Sequence, residues 1–169
     1  MCSSDLASAV RGTTFGYRYL LPVHAAYRAS ADEGTDRLRY SFFSRSETDL
    51  VVGEYAAGDA TRRLASVALD PGSLLPRDDP QVLGDGPGHM QGAVRVDDSW
   101  YATTSHGRAR LGSVWTGSPG SSGHWRQHRW ATPMGPEDLT HDPATDELWS
   151  VTEHPWARWV CAMKRSWYD

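Results

Sequence analysis

Apolar and polar residues alternate along most of this chain with a period of two, in runs of four to eight closed by Gly, Pro, Asp or Ser. Such a run puts one set of side chains on each face of an extended strand. The pattern predicts strands at 17–21, 24–29, 37–44, 49–55 and 62–68, then at 91–96, 100–104, 110–115 and 124–130, and finally at 137–141, 147–152 and 158–163. Apolar residues recur with period two, not with the helical period, and Gly and Pro are frequent between the runs, so no α-helix is expected. From Asp70 to Gly88 the chain is rich in Pro, Gly and Asp. It reads as a crossover loop anchored on the sheet by Leu74, Leu75, Val82 and Leu83. The Gly/Ser/Pro stretch at 117–123 reads as a hairpin loop, and Asp142-Pro143-Ala144-Thr145-Asp146 as a turn.

The strands fall into three groups of similar length. The first runs from His24 to Leu69, and Glu137 follows Gln91 by 46 residues, close to the length of one four-stranded blade. In the second and third groups an acidic turn precedes Trp100 or Trp149, and a histidine, His106 or His154, follows the second strand. The predicted fold class is therefore all-β: a partial β-propeller of about three blades, each an antiparallel four-stranded meander. The third blade lacks a clear fourth strand after Met163. A β-sandwich with evenly spaced strands is the alternative.

Composition agrees with strands. Eight Trp and seven Tyr stand against three Phe, a balance suited to half-buried pleated surfaces. At 169 residues the chain suits a single domain. Residues 13–169 are expected to form it, with 1–12 a non-native or disordered segment. MCSSDL at the start resembles a translated sequencing adapter, which implies a domain truncated at its N-terminus and a lost signal peptide. A net charge of −4 with no basic run argues against nucleic acid as a partner. No apolar run approaches the roughly 20 residues of a membrane helix. Cys2 and Cys161 are the two cysteines, and one at the extreme terminus makes a poor staple.

Candidate chemistry is sparse. No zinc, calcium, nucleophile-elbow or phosphate-loop motif occurs, so neither a metal nor a cofactor is predicted. In a propeller the residues that open each blade approach a central channel: His24 in the first, His89 and Gln91 in the second, Glu137 and Asp138 in the third. Glu137, Asp138 and His89 are the catalytic candidates, since two acids in a dry pocket raise one another's pKa and suit proton transfer. Strand neighbours face opposite sides, so at most one of the two acids reaches a channel and the other caps a backbone N–H. Glu153 and His154 stand at a strand end before Pro155, where an ion pair or a binding role is expected. Trp156 and Trp167, flanked by Pro or polar residues, are the candidates for stacking on a sugar.

The segments at 48–55 (TDLVVGEY), 90–94 (MQGAV), 135–140 (GPEDLT) and 148–155 (LWSVTEHP) resemble the C-terminal part of uncharacterised secreted proteins of actinobacteria with a β-propeller-like domain. The resemblance spans roughly 17–165, and the absence of Asn and Ile and the presence of Lys164 as the sole lysine fit a GC-rich genome. It implies a secreted or extracytoplasmic location and a binding or interaction module whose ligand is a glycan or a protein, with self-association through open sheet edges if truncated. The competing expectation is a propeller hydrolase, lactonase- or phytase-like, that uses channel carboxylates and a divalent cation.

Overall fold

The computed structural model describes residues 40–45, 48–55, 62–72, 77, 80–120, 124–153 and 158–169. They form three open antiparallel sheets. The first contains β1 (Tyr40–Arg45), β2 (Asp49–Glu54), β3 (Arg62–Ala68) and β4 (Gln81–Gly86), in that order. The second contains β5 (Met90–Val96), β6 (Ser99–Thr104), β7 (Gly112–Gly117) and β8 (Trp125–Thr132), again in order. The third has three strands, β9 (Thr140–Asp142), β10 (Glu147–Val151) and β11 (Val160–Lys164), with β10 in the middle. A single 3-10 turn, Arg165–Trp167, follows β11. Among the described residues no helix is long and apolar enough to cross a membrane.

One element departs from the expected pattern. The crossover loop predicted over 70–88 contains β4, which pairs with β3 from Arg62↔Gly86 to Ser66↔Gln81. Pro80, Gly84, Asp85 and Gly86 give this segment the look of a turn. It is a strand because β3 offers a free ladder, and the register slips at Leu64/Ala65 where Gly84 takes a φ of 135°. The described part of the first sheet therefore runs on to Gly86 and does not end at Leu69. The strands expected at 17–21 and 24–29, and His24 with them, lie outside the described residues.

The second sheet is packed on both faces. Alternation along β5 and β6 sends Ala93, Trp100 and Ala102 toward Phe42, Val51 and Leu64 of the first sheet. It sends Val94, Val96 and Tyr101 the other way, toward Leu139, Leu148 and Met163 of the third. Each fully buried Leu or Val side chain contributes about 1.5–3 kcal/mol, so these two seams are the main hydrophobic stabilisation described. The first strands of the sheets neighbour one another, β1 against β5 and β5 against β9. The Ser44 hydroxyl donates to the Ala93 carbonyl across the first junction. At the second junction a Cβ on Gly92 would lie 2.5 Å from the Leu139 nitrogen, so only glycine allows that approach.

Two turns close the strands locally. Asp97, with φ 54°, turns the two-residue β5–β6 hairpin. Between β9 and β10, Asp142 Oδ1 accepts the Ala144 N–H and its Oδ2 accepts the Thr145 hydroxyl, while Asp146 sits at φ 54°.

Candidate functional site

The third sheet holds an acidic cluster at each end of β10. Just beyond the regular ladder, an isolated antiparallel bridge joins Pro136 to Thr152. Glu137 N–H donates to Val151 O at 2.8 Å, and Glu153 N–H donates to Gly135 O at 3.1 Å. This register puts Glu137 and Glu153 on the same face as diagonal neighbours, within reach of two long side chains. Gln91 of β5 joins them, its Nε2 donating to Glu137 Oε1 at 3.2 Å. Burial, and then the charge and hydrogen bond of Glu153, push the Glu137 carboxyl up to about 7. Near neutral pH it is partly protonated, able both to give a proton and to take one.

Asp138 points elsewhere. It is solvent-exposed, and its Oδ1 accepts the Leu139 N–H at 2.8 Å, at the foot of β9. His89, in the β4–β5 connection at φ 60°, stacks edge-on against Tyr55 at 6.1 Å and tilted against His106 at 5.7 Å. No hydrogen bond links His89 to Glu137 among the described residues. The contacts described gather Gln91, Glu137 and Glu153, whereas His89 meets Tyr55 and His106, and Asp138 meets the Leu139 backbone. Glu153 contacts a second carboxylate, that of Glu137, because the register brings the two together; the ion pair expected at the end of this strand involves His154, outside the described residues. His154 and Trp156 lie outside the described residues.

At the opposite end of β10 the carboxylates meet a cation. Arg165 grips Asp146 with both nitrogens, Nε to Oδ1 at 2.6 Å and Nη2 to Oδ2 at 3.1 Å. His141 Nε2 lies 3.1 Å from Asp146 Oδ1. Arg165 Nη1 also donates to Tyr101 Oη and to Asp169, and Tyr101 Oη donates to Asp169 Oδ1 at 3.0 Å. Hydrogen bonds from Arg165, then from His141, hold Asp146 below the usual carboxylate range. On the first sheet Arg63 makes a similar two-pronged pair with the buried Glu54, at 3.0 Å through each nitrogen. Both arrangements tie strands and termini together. Cys161 is a free, half-buried thiol. Among the described residues no group of three or more His, Cys, Asp or Glu side chains is placed to hold a metal ion.

The aromatic residues separate by exposure. Trp100 is buried, and Trp115, Trp125 and Trp149 are half-buried. Trp167 is 65% exposed, as are Trp159 at 59% and Trp130 at 75%, two residues that sequence alone does not single out. Trp130 borders a cleft of about 550 Å³ together with His106, Arg110, Ser113, Gln127 and Arg129. No known family profile, no curated protein and no solved structure matches this chain.

Proposed function

We infer that this chain is a binding or interaction module of propeller type, secreted or displayed outside the cytoplasm. The observation that carries the reading is the exposure of Trp130, Trp159 and Trp167, flat apolar side chains held in a strand bulge, beside a strand and in the 3-10 turn, where a ligand can reach them. The propeller architecture is supported by the side-by-side first strands β1, β5 and β9, the arrangement that innermost blade strands adopt around an axis. It is supported further by the outer face of the third sheet, where Val151 and Val160, paired across β10 and β11, are exposed on a surface suited to another sheet. The extracytoplasmic location rests on the resemblance to secreted proteins.

The second reading is a hydrolase. Glu137, at about 7 and bonded to Glu153 and Gln91, is the observation that favours it. The two readings separate in one assay series. The purified protein is offered a γ-lactone and phytate with added calcium or manganese, and in parallel a panel of immobilised oligosaccharides. Retention on a saccharide without turnover supports the module. Metal-dependent turnover that Glu137→Gln abolishes replaces the module with the enzyme.

A further inference from the structure

We propose that the cleft between the β6–β7 connection and the margin of β8 binds a saccharide carrying a carboxylate or sulfate group, with Arg110 and Arg129 on the anion and Trp130 under a sugar ring. The inference rests on the binding-module reading and names the ligand class for one site within it.

The local backbone is built in an unusual way. Gly112 pairs with Thr132 and Val114 with His128, so two residues of β7 span the distance covered by four of β8. The surplus is a bulge containing Arg129, Trp130 and Ala131. Trp130 sits within it at φ 57°, a conformation that costs a bulky side chain free energy and that the surrounding structure must enforce. Bulges at sheet edges re-aim side chains, and β8 is the outer strand of its sheet. Here the result is an indole left 75% exposed on the rim of a cleft, while Ala131 and Thr132 return to the interior.

The charges follow the same logic. In a chain of net charge −4, Arg110 and Arg129 line one cleft, and neither has a carboxylate in ion-pair range among the described residues. Arg129 is oriented by its Nε, which donates to Gln127 Oε1 at 3.2 Å, and Gln127 in turn donates to Ser113 Oγ at 3.0 Å. That relay leaves the Nη groups of Arg129 to meet an anion as a planar fork. Ser113 and Gln127, bonded to each other, add polar side chains to the cleft wall. An exposed indole face beside two guanidinium groups fits a ring with apolar C–H faces and a charged substituent better than a bare anion. The volume falls within the usual range of small-molecule sites.

The test is titration calorimetry of the whole chain with trigalacturonate and a sulfated chondroitin disaccharide, with galactotriose as the neutral control and inorganic sulfate as the bare anion. The expected result is binding of at least one acidic saccharide, weakened tenfold or more by Arg110→Ala plus Arg129→Ala and by Trp130→Gly. Trp130→Gly suits the backbone at φ 57° and so keeps the fold, with an unchanged or raised Tm as its control; Trp130→Phe retains part of the affinity. Salt weakens the wild-type interaction. Equal affinity for galactotriose, equal affinity for free sulfate, or acidic binding that survives the double substitution overturns this assignment while leaving a binding module elsewhere intact. No retention of any saccharide, together with metal-dependent turnover, defeats both readings.

Discussion

The two ends of β10 carry acids of opposite character. At one end Asp146 meets the Arg165 guanidinium and the His141 ring, with the Tyr101 hydroxyl and Asp169 completing the ring of bonds. At the other, Glu137 meets Glu153, like against like, and accepts a hydrogen bond from the amide of Gln91. The difference teaches how charge enters a sheet. The Asp146 cluster comes from a local turn and a C-terminal segment that lies beside it, and any carboxylate placed there is stabilised ionised. The Glu137 cluster is forced by register, and the favourable pairing of Pro136 with Thr152 outweighs the repulsion of two acids, which is relieved by holding a proton.

The largest expected effect lies in the sheet that both clusters share. Leu148 is fully buried opposite Met163, and Leu148→Ala costs about 2–5 kcal/mol in urea unfolding. Loss at both ends together, seen as weakened protection of the Glu137 and Arg165 backbone amides, marks the sheet as one cooperative unit. Selective loss at one end breaks the comparison into two independent regions. Arg165→Met comes next, at about 1–2 kcal/mol, because it removes the cation from a bidentate, partly exposed network. Its cost shrinks in high salt. Asp146 has a lowered pKa when folded, so its contribution is present above the unfolded value near 3.8 and is lost as pH falls through the folded one. A variant that keeps the wild-type acid sensitivity contradicts this assignment.

The smallest effect, about 1 kcal/mol once solvent screening is allowed for, has the opposite sign. Glu137 has a raised folded pKa, so the unfolded chain loses its proton first, and stability falls as pH rises from about 4.5 to about 7 before levelling. Glu137→Gln removes that slope and makes the protein more stable at pH 8 than the wild type. Melting curves across this window that show the same slope in both proteins exclude the shared proton.

Much of the architecture is legible in the alternation of residues. β2, β3, β6 and β10 lie within a few positions of the runs that predict them, because a buried face repeated every second residue specifies a strand and its facing. β4 is not legible, since Gly and Asp mark turns unless a neighbouring ladder holds them. Among site residues, adjacency in sequence places Glu137 and Asp138 together, whereas alternation separates them. The partner that matters, Glu153, stands 16 positions away. Trp130 and the two arginines are equally hidden, as nothing in His124–Thr132 announces a bulge that gives β8 two surplus residues.

The sequence by itself determined the all-β class, the antiparallel meander and which residues each strand can bury, because these follow from side-chain periodicity and local turn chemistry. Tertiary structure alone decided that the second sheet is covered on both faces, that two glutamates share a corner, and that Trp130 stands exposed beside two arginines. Those outcomes depend on register and on the approach of distant backbone, quantities set by the sum of many weak contacts and by no single stretch of chain.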